Sequence, residues 1–150
     1  SAAVNASVSF PPYSPIVQPC TPALNAAMTP ALRESCKRIH TRLADGDTIM
    51  DQIFASKIML QLTADSPEST EWRERYRRSR WLMEHQLDPE ILSQHRIEDY
   101  ADGEVRRMQA TLQAAGRWPP PADWLPADEN DRSLILTGHP PAKKKPDQAP

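Results

Sequence analysis

"EWRERYRRSRW", residues 71–81, puts five arginines and three aromatic residues into eleven positions. At about 100° per residue, a helix through this stretch gathers Trp72, Tyr76, Ser79 and Met83 on one face. Glu71 and Arg75, Glu74 and Arg78, and Arg80 and Glu84 are four residues apart, the spacing at which opposite charges on a helix support one another. The stretch therefore reads as an amphipathic helix with a buried aromatic face and a salt-laced outer face. Each such pair contributes only about 0.2–1 kcal/mol. A second segment compensates the surplus. Residues 88–104 carry six carboxylates against Arg96 alone, while residues 71–80 carry five arginines against two glutamates. Phosphate-backbone recognition needs an uncompensated basic stripe, and an acidic neighbour works against it.

Two features are left over. Arg73, Arg77 and Arg80 form a stripe beside the aromatic face, able to meet an acidic surface or a small anion. Trp81 lies nine residues after Trp72, half a turn out of phase with the core face, and Arg77 is placed to stack on its indole. Either "GRWPPPADWLP" (residues 116–126) covers Trp81, or a second helical layer buries it, or it anchors a partner. Covering leads, because Trp118, Trp124 and Leu125 need burial themselves. The partner reading makes Arg73, Arg77, Arg80 and Trp81, with Trp118 and Trp124 behind them, an interface of hot-spot composition.

The flanking signals extend the helical reading. Thr29 as N-cap and Pro30 at the first helical position open a helix that Gly46 ends, with Leu32, Cys36, Ile39 and Leu43 as its inward stripe. Asp47 caps a second helix bearing Ile49, Met50, Ile53, Phe54, Ile58 and Leu62, the most apolar segment and the expected centre of the core. Asp65 or Ser66 with Pro67 opens the helix of residues 71–81. The apolar phase Ile97, Ala101, Val105, Met108, Leu112 and Ala115 runs through Gly103, which predicts one long helix over residues 89–115, bent at Gly103, with Gly116 as its stop. "SLILTG" (residues 133–138) is the one window suited to a short strand. Short connections between amphipathic helices predict an all-α, antiparallel bundle of about four helices.

Proline sharpens the boundaries. Of 16 prolines, all but Pro67 and Pro89 fall within residues 11–30 or 119–150. The expected organisation is a proline-rich N-terminal arm (1–28), a helical domain (29–116), a Trp/Pro-rich segment packing on it (117–137) and a disordered basic tail (138–150). No apolar run approaches the roughly 18 residues that span a bilayer.

Cys20 and Cys36 are the only cysteines. With the small-residue start "SAAVNAS" they suggest an exported, periplasmic or secreted chain in which a bridge staples the arm to the first helix, a cytoplasmic one being the alternative. Candidate chemistry is sparse. Cys36 and His40 share a helix face and, with Cys20, form the one conceivable thiol–imidazole or metal cluster, without a fourth ligand or orienting acid. His85 and His95 read as surface residues. "EDYADGE" (residues 98–104) lacks a calcium-loop ligand pattern. No phosphate-cradling glycine loop or nucleophile elbow is present, and no motif calls for a cofactor. The sequence thus implies a small exported binding protein, of inhibitor, immunity or adaptor type, whose partner is another protein with an acidic or aromatic-accepting surface. A polyanion-binding protein using the arginine helix and the lysine tail is the second reading, and a thiol or metal enzyme at Cys36 and His40 the third.

Overall fold

The computed structural model describes residues 28–86 and 103–141. Among these residues the chain is all-helical, with five helices and no strand: α1 Pro30–Ala44, α2 Ile49–Leu62, α3 Ser69–Gln86, α4 Glu104–Ala114 and α5 Glu129–Thr137. None is long and apolar enough to cross a membrane. Cys20, His95, the two arms' outer residues and most of the acidic segment lie outside the described residues.

α1 starts where its signals place it. The Thr29 hydroxyl accepts from Leu32 N–H at 3.2 Å and Pro30 occupies the first helical position, where its missing N–H leaves nothing unsatisfied. The helix closes at Asp45, one residue before Gly46. Its inward face keeps Cys36 and Leu43 of the expected stripe and loses the other two. Cys36, His40 and Ala44, spaced by four, are buried with Leu43 packed beside them, whereas Leu32 and Ile39 are each 42% exposed. The helix is rotated so that its two smaller residues and an imidazole meet α2, whose bulky Ile and Met side chains leave room for little more.

α2 is the centre of the core, packed against both α1 and α3. Thr48, rather than Asp47, is its N-cap, accepting from Asp51 N–H. Ile49, Ile53, Ile58, Met59, Leu60 and Leu62 are buried, while Met50 and Phe54 lie on the outer face. A helix apolar nearly all round is what a central element requires.

The turn before α3 uses Ser66, whose hydroxyl accepts from Glu68 N–H. The helix itself begins at Ser69, two residues past Pro67. Trp72, Tyr76 and Ser79 are buried as their phase predicts, with Met83 partly so. Trp81 and Arg77 on the opposite side, and Leu82 on the flank, are buried too. α3 is thus covered from two directions despite carrying the densest charge in the chain.

Gly103 does not sit within a helix. It takes φ 87° and stands as the N-cap of α4, a conformation that interrupts helical phase and that glycine adopts without Cβ strain. The single helix expected over residues 89–115 therefore stops there; its part before residue 103 lies outside the described residues. The far end matches expectation. Gly116 at φ 72° sends its N–H to Gln113 O, and Arg117 N–H reaches back to Leu112 O at 2.7 Å, the paired bonds of a Schellman stop.

"SLILTG" is helix, not strand. The Asp128 carboxylate caps α5, accepting from Asn130 and Asp131 N–H at 2.7 and 3.2 Å, and Gly138 closes it at φ 81°. Three adjacent apolar residues fit either period, and the cap decides between them. Asp128→Ala is expected to destabilise the protein by about 1 kcal/mol. A urea midpoint unchanged from wild type would show that α5 does not depend on this cap.

Candidate functional site: a tryptophan–proline groove on α3

The residues expected to bind a partner come together around the second half of α3, although not as an open arginine stripe. Residues 116–126 cross over Trp81 and cover it, leaving it 3% exposed. Its indole stacks on the His85 ring, with centroids 3.8 Å apart and planes 20° apart, and meets Trp118 edge to face at 5.5 Å. The Trp118–Pro119 bond is cis. Covering was the leading expectation for Trp81, and it removes this residue as a directly accessible anchor.

Arg77 does not stack on Trp81. It is 9% exposed, pairs with both oxygens of Glu74 and donates to Pro121 O at 2.8 Å, fastening the crossing segment to α3. The cation–π contact belongs to Arg75, which lies 4.4 Å above the Trp72 ring and also holds Asp45 Oδ1 at 2.8 Å and Ala44 O at 3.0 Å. Arg80 pairs with Asp131 at 2.8 Å and Glu84 at 3.4 Å, and Arg78 with Glu74 at 2.7 Å. Arg73 is partly buried. Of the stripe of Arg73, Arg77 and Arg80, the last two are therefore consumed inside the fold, by carboxylates from α3 and α5 and by a backbone carbonyl, while the Arg73 Nε is buried without a partner among the described residues.

A buried polar link ties α5 to α3. Tyr76 Oη donates to Asp131 Oδ1 at 2.6 Å while Arg80 holds the other carboxylate oxygen. Burial, and then the bond to the Asp131 carboxylate, push the Tyr76 phenol far above its usual range, so it remains a proton donor at any ordinary pH.

What stays open is a groove of about 330 Å³ beside this cover, lined by Trp81, His85, Pro119, Pro121 and Trp124 with Gly116 and Arg117 at one end. His85 Nδ1–H donates to Trp81 O at 2.9 Å, leaving Nε2 as an acceptor. The indoles supply N–H donors and the prolines supply none. Such a surface offers flat apolar faces and a few polar points, suited to an extended segment of another chain. Sequence reasoning named Trp81, Trp118 and Trp124 but missed His85, Pro119 and Pro121. The available signals were the i, i+4 spacing of Trp81 and His85 and the prolines that follow Trp118.

Cys36 and His40 form no accessible dyad. His40 is fully buried, not a surface residue, and Cys36 is 3% exposed and not a free thiol. The other half of the expected bridge, Cys20, lies outside the described residues. Among the described residues no three His, Cys, Asp or Glu side chains are grouped to hold a metal.

His40 has a consequence for stability. Its Nδ1–H donates to Cys36 O at 2.8 Å, and Nε2 has no partner among the described residues. Desolvation lowers its pKa below 6.5, opposed by the Cys36 carbonyl. The folded state then binds this proton less readily than the unfolded one. The group costs nothing above pH 6.5 and erodes stability as pH falls below it, by at most about 1.4 kcal/mol per pH unit. Glu74, whose pKa is lowered against its burial by Arg77 and Arg78, adds an acid loss only below its ordinary 4.5. His40→Leu is expected to flatten the stability profile between pH 7 and pH 5, measured by urea melts; an unchanged slope would place the acid sensitivity elsewhere.

No protein-family model matches this chain, and no curated protein or solved structure matches it either.

Proposed function

We propose that this chain is a small exported binding protein, built on an antiparallel helical bundle, that captures an extended proline-bearing segment of a partner protein in the groove of Trp81, His85, Pro119, Pro121 and Trp124. The observation that carries the reading is the groove itself: indole, imidazole and proline rings line an open surface while the neighbouring arginines are spent on internal partners. A proline segment arrives already extended, so little chain entropy is lost on docking, and its rings lie against indole faces. Prolines in the wall cannot donate to an added strand, which disfavours recognition by sheet extension. In this reading Arg77 serves the interface indirectly, by fixing Pro121, and Trp118 holds the Trp81 floor. A Cys20–Cys36 bridge and export belong to the same proposal, since a buried sulfur that is not free fits an oxidising compartment.

The test is selection from a displayed peptide library by the full-length protein and by Trp124→Ala. The wild type is expected to enrich a motif containing proline, and Trp124→Ala to weaken the enriched peptide by roughly tenfold or more, as an interface tryptophan does. Selection of no motif, or equal binding by a folded Trp124→Ala, would overturn the proposal.

A further inference from the structure

A second cleft, walled in part by Trp118, opens between α2, α3 and α4. Its volume is about 240 Å³, and Gln52, Ser56, Arg78, Ser79, Gln109 and Trp118 supply its working chemistry. A neighbouring lobe of about 270 Å³ shares Ala44, Gln52, Arg75 and Gln109 with it and adds Asp45 and Asp47. Both lie just under the usual range of about 300–1,000 Å³ for ligand pockets, which suits a molecule of monosaccharide size.

The inventory of unused polar atoms is mixed. Ser56 and Gln109 make no side-chain hydrogen bond to any described residue, although Ser56 is only 1% exposed. Gln52 spends its amide N–H on Gly46 O at 2.9 Å, which leaves its carbonyl oxygen. Ser79 Oγ donates to the carbonyls of Arg75 and Tyr76, which leaves its lone pairs. Arg78 spends Nε on Glu74 and keeps its terminal nitrogens. Arg75 also lines the cleft, but its guanidinium is held by Ala44 O, Asp45 and Glu71. Donors thus remain on Arg78, Gln109 and Ser56, and acceptors on Gln52, Ser79, Gln109 and Ser56. No carboxylate lines the cleft itself.

The geometry points to a binding site for a neutral polyhydroxylated ligand of monosaccharide size. A hydroxyl both donates and accepts, so a ring of hydroxyls satisfies both halves of this inventory. A carboxylate or phosphate offers acceptors only and would face the Gln52 and Ser79 oxygens unpaired. A cation would face Arg75 and Arg78, and the nearby carboxylates of Asp45, Asp47, Glu71 and Glu74 are already paired with arginines. Trp118 provides an apolar wall for the C–H face of a sugar ring. This inference does not rest on the peptide groove, which uses other residues apart from Trp118.

The experiment is saturation-transfer NMR and calorimetry on the full-length protein with D-glucose, D-galactose, D-mannose and N-acetylglucosamine, and with benzoate as the anionic comparison. At least one sugar is expected to bind with a dissociation constant of about 1 mM or tighter. Gln109→Ala and Arg78→Gln, two side chains not buried in the core, are each expected to weaken that sugar by about fivefold with the helical circular dichroism unchanged. Binding of benzoate in preference to every sugar, binding of nothing in the panel, or sugar binding untouched by both substitutions would overturn the assignment.

Discussion

Trp81→Ala is expected to destabilise the protein by about 3–5 kcal/mol, the range for removing a large aromatic side chain from a core. The side chain is 3% exposed and lies between the His85 ring and Trp118. Truncation removes its buried area and both ring contacts, and those contacts add about 0.5–1.5 kcal/mol each beyond area. The loss spreads outward, because Trp118 then has no ring to rest on and the crossing segment depends on its other ties, among them Arg77 to Pro121 O and the packing of Trp124 and Leu125 on the core. Equilibrium urea unfolding of the purified protein measures it. A cost under about 1 kcal/mol, in the range of an ordinary surface substitution, would mean that residues 116–126 do not cover Trp81.

Asp131→Ala is expected to cost a similar amount by a different route. Asp131 accepts from Tyr76 with one oxygen and pairs with Arg80 through the other, and its side chain is 11% exposed. Removing it strands a phenol and a largely buried guanidinium, and breaking one side of such a pair costs about 3–5 kcal/mol. Glu84, 3.4 Å from Arg80, offsets part of this. The informative comparison is a cycle with Tyr76→Phe, which removes only the hydroxyl. The coupling between the two sites is expected to be about 1–3 kcal/mol. Additive effects would show that Tyr76 and Asp131 do not share a hydrogen bond, and would detach α5 from α3 as described above.

These two residues also mark what the sequence hides. Pairs within one helix were legible: Glu71–Arg75 at 3.9 Å, Glu74–Arg78 at 2.7 Å and Arg80–Glu84 at 3.4 Å all occur. The chain's own punctuation was legible too, in Thr29 with Pro30 and in the Gly116 stop. Long-range partners were not. Asp131 is 55 residues from Tyr76 and Pro121 is 44 from Arg77, and no local spacing rule reaches that far. Arg77 and Arg80 looked available because part of what holds them, the Asp131 carboxylate and the Pro121 carbonyl, comes from another helix and a proline loop.

The inward face of α1 was misread for a related reason. Hydropathy selects Leu32 and Ile39 alongside Cys36, yet burial joins Cys36 with His40 and Ala44, because facing is set by what α2 can accommodate and not by α1 alone. Gly103 shows the limit of periodicity: the apolar phase continues across it, but a positive φ breaks the helix all the same. In α5 the apolar run was ambiguous, and the overlooked Asp128 cap held the answer.

All four tryptophans, at positions 72, 81, 118 and 124, fall among the described residues, so one spectrum reports on the whole account. The protein labelled with 5-fluorotryptophan gives four fluorine resonances, recorded in H2O, in D2O and with a proline-bearing peptide selected by the wild type. Trp72 and Trp81 are expected to show no solvent isotope shift, Trp124 to show one, and the peptide to move Trp124 and, through the groove floor, Trp81 while Trp72 stays still. A solvent-exposed Trp81, or a peptide that moves Trp72 and leaves Trp124 in place, would contradict the proposal that the aromatic cover on α3 is both packed and the working surface of the molecule.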